Sequence, residues 1–253
     1  MKTVRSAIKQ AIFSRDFVIG LIGVIAVVFL SSFSDIFETL RTEGSLPHAF
    51  HNRFIANAIV SDAMTLALPV IAALPFTASL VNDMKSGFIR SYLHRTSRKN
   101  YLAGKCAACG LSGGSVLALG ILVSDILSAA AFIPLEDPVS KEAAATLFYA
   151  DLVKRIVLIF LSGAFWSLCG LTLAALTGSK YMAYASPFII YYLLIILHER
   201  YFDKIYVLYP KEWIGPSARW MLGDWGVILL LLGLIAAAGA AFFFAAGRRI
   251  SQL

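Results

Sequence analysis

Six apolar runs, each near the length of a bilayer span, divide the chain at 17–33, 54–81, 106–135, 156–177, 181–197 and 225–247. A helix needs roughly 20 mostly apolar residues to cross a hydrocarbon core about 30 Å thick. Inside that core each backbone N–H and C=O must be satisfied by the protein itself, which restricts such runs to helix. The pattern therefore predicts an all-α membrane protein with six transmembrane helices. Composition agrees: 15% of residues are charged, against about 25% in a soluble domain. Mean hydropathy is +0.77. Pro69 and Pro75 fall inside the second run and predict a kink there.

The polar stretch 82–105, between the second and third runs, is the unusual one. It carries Lys85, Arg90, Arg95, Arg98, Lys99 and Lys105 against a single acid, Asp83. It also keeps Met84, Phe88, Ile89, Leu93 and Leu102, an apolar set that a solvated loop does not need. The combination predicts a cytoplasmic platform for a partner protein. A short helix over 83–91 would place Met84 and Phe88 at i and i+4 on one face. Phe88 would be the anchor, Gly87 would allow close approach, and Arg90 and Arg95 would form the rim.

Basic residues near span ends mark the cytoplasmic side. With both termini inside, the inner segments hold 13 Lys and Arg and the outer segments nine. The net charge of +7 is thus read as a topology signal, with no nucleic-acid partner. Residues 1–16 set Lys2, Arg5, Lys9 and Arg15 among Val4, Ile8 and Ile12 on one helical face, predicting an amphipathic helix at the inner interface. The first run is too long for a signal-peptide core and is read as a retained span.

The stretch 198–224 interleaves Tyr201, Phe202, Tyr206, Tyr209, Trp213 and Trp220 with four basic residues. Tyr and Trp favour the headgroup level, so this region is expected to form re-entrant outer helices between spans five and six, with Tyr206, Tyr209 and Trp213 at that level. Asp62 and Asp125 are acids inside apolar runs, each read either as a polar patch on a substrate path or as a carboxylate near a helix end. Gly110 and Gly114 have a spacing that allows close helix approach. Cys106 and Cys109 stand in a helix entering the membrane without a second Cys or His pair, so no metal site is expected. No phosphate-cradling G-x-x-x-x-G-K-[ST], no H-E-x-x-H and no G-x-S-x-G occurs, and the chain reads as non-catalytic on its own.

Asp83-x-x-x-Gly87, then Leu93, Arg95, Ser97-Arg98, Tyr101 and Lys105, resembles the cytoplasmic signature of ABC-2-type exporter permeases. It departs from that pattern in having Asp83 where the family often has Glu, and Arg95-Thr96 where a proline commonly precedes the Ser-Arg pair. The arrangement is most similar to small permeases of the bacteriocin-export or lantibiotic-immunity type. The resemblance implies one transmembrane permease domain over 1–253 in the plasma membrane of a bacterium, paired as a homodimer or pseudo-dimer. Two copies of a separate ABC ATPase subunit would carry the ATP and magnesium, leaving this chain without a cofactor. It implies docking by Asp83, Met84, Gly87, Phe88, Arg90, Arg95, Arg98, Tyr101 and Lys105. Spans two and five would line the substrate path, with Asp62, Asp125, Tyr191 and Tyr192 as candidate residues and a peptide, amphipathic drug or lipid-like molecule as substrate. The alternative is a non-transporting immunity or anchoring protein of the membrane.

Overall fold

The computed structural model describes residues 2–31, 33, 37, 46, 50–89, 97–136, 142–217 and 219–250. Among these the chain is helical. The order is α1 (Lys2–Ile12), α2 (Arg15–Ser31), α3 (Phe50–Val60), α4 (Asp62–Ala73), α5 (Ser79–Lys85), α6 (Arg98–Phe132), α7 (Glu142–Thr177), α8 (Lys180–Arg200) and α9 (Asp224–Ile250). Four stretches are long and apolar enough to cross a membrane: Arg98–Leu135, Asp151–Thr177, Lys180–Arg200 and Asp224–Ile250. Two bent pairs, α1 with α2 at 48° and α3 with α4 at 65°, raise the number to six if each pair is one span. Exposed apolar side chains such as Ile22, Ile189, Leu229 and Phe244 give the helices an oily exterior, as a bilayer-embedded bundle requires.

The second apolar run breaks elsewhere than its prolines predict. The bend is at Ser61, whose hydroxyl accepts from the Met64 N–H at 3.2 Å and donates to the Ala58 carbonyl at 2.8 Å. That side chain ends one helix and N-caps the next. Pro69 sits buried inside α4, and Pro75 lies in the turns between α4 and α5. The helix does not continue through 81 as one span: α4 stops at Ala73, and α5 runs from Ser79 into the polar stretch.

Ser97 caps α6 through the Asn100 N–H, so the third long helix starts before the apolar run does. At 1.5 Å per residue its 35 residues extend roughly 52 Å, far beyond a hydrocarbon core of about 30 Å. The first turns of α6, which carry Tyr101 and Lys105, belong to this overhang, at the end of the bundle that the charge pattern predicts to be inner; inner and outer denote these two ends. The amphipathic face of α1 is used against protein: Ala11 is fully buried, and Ala7 and Ile8 pack beside it on the inner core that includes Leu102 and Cys109.

Helix α7 is central, packing on α4, α6, α8 and α9. Its contact with α6 is backbone-close. A Cβ on Gly114 would stand 2.6 Å from the Phe160 carbonyl, one on Gly163 would stand 2.7 Å from the Gly113 carbonyl, and one on Gly113 would collide with Ser167. Gly110, half of the expected pair, makes only ordinary contact with Leu168. At the inner end, Arg249 of α9 donates to the Ala175 and Leu176 carbonyls, filling the C-terminal end of α7.

The segment after α8 does not form the expected re-entrant α-helices. It folds as two short 3-10 turns, Tyr206–Leu208 and Pro210–Trp213. Of its aromatics Trp213 is buried, Tyr206, Tyr209 and Trp220 are half-buried, and Tyr201 and Phe202 are exposed.

Candidate functional site

At the inner end, three residues separated in sequence meet. Asp83 Oδ2, near the end of α5, accepts a hydrogen bond from the Tyr101 hydroxyl at 2.7 Å and an ion pair from Lys105 Nζ at 2.8 Å. Tyr101 and Lys105 reach the same oxygen because residues four apart on a helix share a face. The Lys105 ammonium also lies over the Phe76 ring, 4.7 Å from its centroid. Its side chain is 7% exposed and that of Asp83 21%. A cation so far from water needs this pairing.

A cleft of about 320 Å³ opens beside this node, lined by Gln10 of α1 and by Asp83, Ser86, Phe88, Tyr101 and Lys105. The expected continuous helix over 83–91 is interrupted: α5 ends at Lys85, and Gly87 takes φ +73°, a left-handed conformation that ends the helix. Met84 and Phe88 therefore do not share one helical face. Met84 is half-buried against the inner core, while Phe88 is 45% exposed at the rim of the cleft. Of the other docking candidates, Tyr101 and Lys105 turn inward onto Asp83, and Arg98 lies near Gly247 of α9. Arg90 and Arg95 lie outside the described residues.

The four substrate-path candidates are not gathered at one point. Asp62 is exposed at the first turn of α4 and pairs with Lys211 at 3.1 Å. Asp125 is buried in α6, and its Oδ1 has no hydrogen-bond partner among the described residues. Tyr191 is fully buried and packs edge-on to Trp166 at 5.2 Å. Tyr192, half-buried, tilts against Phe188.

Two features are absent from the sequence expectations. His51 donates its backbone N–H to Glu136 Oε1 at 2.8 Å, and its Nδ1 lies 2.7 Å from the same oxygen, so a carboxylate just after the 3-10 turn that follows α6 sits over the N-terminus of α3. Trp166, fully buried, stacks on Trp213 with ring centroids 5.7 Å apart and planes 19° apart. Trp213 is 3% exposed, so its ring is packed among protein side chains instead of facing lipid or solvent. Large aromatics bury wherever a matching slot exists, and the spacing of Trp213 among basic residues carried no sign of one.

Around Trp213 the outer segment is stitched to itself. Trp213 Nε1–H donates to the Val207 carbonyl at 2.9 Å, and Glu212 Oε2 accepts from the Ser217 N–H and from Trp220 Nε1. Among the described residues, Lys211 with Asp62 and the Tyr209 hydroxyl with Glu199 tie it to the helices. Burial works against the Lys211 charge, but the Asp62 hydrogen bond and the nearby Tyr209, Asp62 and Glu199 outweigh it, so its ammonium is held above the ordinary lysine value. Burial, with help from Glu199, pushes the Tyr209 phenol up.

No family model matches this chain, and no curated protein matches it. No cluster of three His, Cys, Asp or Glu suited to a metal occurs among the described residues. The sites are thus a buried ion-pair node with an adjoining cleft at the inner end and an aromatic slot under a loop at the outer end.

Proposed function

We propose that this chain is the transmembrane permease subunit of an ATP-driven exporter of the ABC-2 type, working as a dimer with two separate ATPase subunits. The observation that carries the reading is the node itself. Asp83, Tyr101 and Lys105, three of the residues on which the resemblance rests, converge on one carboxylate oxygen. That contact fastens α5 and the Gly87 turn to the overhanging end of α6, with the partly exposed Phe88 at the tip. A push on Phe88 would pass to α6 through a buried ion pair, a short rigid path of the kind a soluble ATPase needs to move a membrane helix. Both termini would be cytoplasmic, in a plasma membrane.

The test is co-purification with the P-loop ATPase of the neighbouring reading frame. Buried aromatics dominate small interfaces, so Phe88→Ala should weaken the complex by about 2 kcal/mol or more. The variant should still insert and fold, because Phe88 lies outside the apolar runs. Unchanged ATPase binding by a folded Phe88→Ala chain would remove the docking role and the permease reading with it.

A further inference from the structure

The Trp166–Trp213 stack holds two unusual conditions together. Trp166 is fully buried, yet among the described residues its Nε1–H has no hydrogen-bond partner. One turn before it on the same face of α7, Ser162 is equally buried and its hydroxyl is also unpaired. Buried polar groups normally find partners, and each exception requires a reason. Tyr191 closes the slot from α8, with its hydroxyl beside Thr65 of α4, and Phe165 meets the Trp213 ring at 5.7 Å.

The ring that fills this slot comes from the outer segment, not from a helix. That segment keeps its own hydrogen bonds through Val207 and Glu212 and is tied to the helices through Lys211 and Tyr209. It can therefore withdraw as one piece, at the loss of the Lys211–Asp62 pair, the Tyr209–Glu199 hydrogen bond, the His198–Tyr209 stack and the burial of Trp213 and Ile214. Withdrawal would uncover three aromatic walls with unused donors at Trp166 and Ser162. On its other side, Phe165 lines a groove of about 330 Å³ between α7, α8 and α9, walled by apolar residues such as Ile190 and Leu234. An apolar molecule arriving from the lipid side would meet the slot by that route.

We infer that the space held by Trp213 is a binding site for a planar aromatic group bearing a hydrogen-bond acceptor, and that Trp213 is its intramolecular occupant. The ring of the ligand replaces the Trp213 indole against Trp166 and Tyr191, and its acceptor takes the Trp166 and Ser162 donors. This deepens the permease reading by naming the kind of group carried. Binding is measured without any ATPase, so the two readings can fail separately.

The experiment titrates the purified chain in lipid nanodiscs with dansylamide, a naphthalene ring carrying sulfonyl acceptors, followed by the probe's own emission. The wild-type chain should bind saturably above the partitioning seen with empty nanodiscs. Trp213→Ala, which removes the competing ring, should tighten binding about tenfold. Trp166→Phe, which keeps a ring and deletes the donor, should weaken it at least fivefold. Asp62→Asn loosens the segment without touching the slot and should tighten binding about twofold, which keeps the test intact if Trp213→Ala does not fold. Saturable binding by Trp213→Ala but not by wild type would mean an engineered cavity only and would overturn the site. Equal binding by wild type, Trp166→Phe and Asp62→Asn would overturn it as well.

Discussion

The two ends of the molecule are held by opposite means. The inner end depends on charge: one aspartate oxygen binds a buried lysine and a tyrosine hydroxyl, and an aromatic ring lies under the ammonium. The outer end depends on rings: Trp213, Phe165, Trp166 and Tyr191 pack together, and the nearby Lys211–Asp62 pair lies open to water. A buried ion pair is rigid because removing either partner strands a charge. A stacked ring at the edge of a loop gives up mainly apolar contact when it leaves, and a second ring can replace it. The contrast separates a fixed inner joint from an exchangeable outer closure.

The largest effect that would break this contrast lies at the inner joint. Lys105→Ala should destabilise the folded chain by about 4 kcal/mol, since it leaves a largely buried carboxylate without its cation. Thermal unfolding in detergent measures this, and the double variant Asp83→Leu with Lys105→Met should recover most of the loss. A single-variant loss below about 1 kcal/mol would show that the node is not a strut.

At the outer end, Trp213→Leu should cost about 2 kcal/mol, less than a full truncation because part of the slot stays filled. The same unfolding assay reads it. A larger loss than for Lys105→Ala would reverse the comparison.

The smallest effect sharpens it. Lys211 and Tyr209 both have folded-state values raised above their unfolded ones. The stability they contribute is fully present below those unfolded values, about 10 for both groups, and is lost as pH rises through the raised folded values. The outer segment should loosen as pH rises above about 10, seen as increased quenching of tryptophan emission by aqueous iodide. Asp62→Asn should reduce the Lys211 part of that alkaline dependence and cost no more than about 1 kcal/mol at neutral pH, as for other exposed pairs. An unchanged alkaline profile in Asp62→Asn would show that Lys211 is not held by Asp62.

The helices were legible because bilayer-length apolar runs have few alternatives. The inner motif was legible as a set of residues but not as a geometry. Asp83, Tyr101 and Lys105 were read as surface for a partner, since burial of a lysine cannot be told from its neighbours in sequence. The break at Ser61 was hidden behind two prolines, the usual marks of a kink. A serine that caps one helix against the end of another carries no such mark until the backbone turns. The aromatic slot was invisible for a related reason: Trp166 and Trp213 lie on separate elements, and stacking between them depends on how a loop folds back over the helices.

The glycine contact between α6 and α7 has a mechanical consequence. With Gly114 pressed on the Phe160 carbonyl and Gly163 on that of Gly113, these two helices meet backbone to backbone at those points, with no side chain between them to act as a bearing. Rolling or sliding there would drive backbone into backbone. Any change of shape in this protein must keep them as a common axle and turn its other parts about it. The axle joins both ends of the molecule: α6 carries Tyr101 and Lys105, and α7 carries Trp166. Movement imposed at the inner node would thus arrive at the aromatic slot as a tilt of the whole shaft, undiminished by slack along the way.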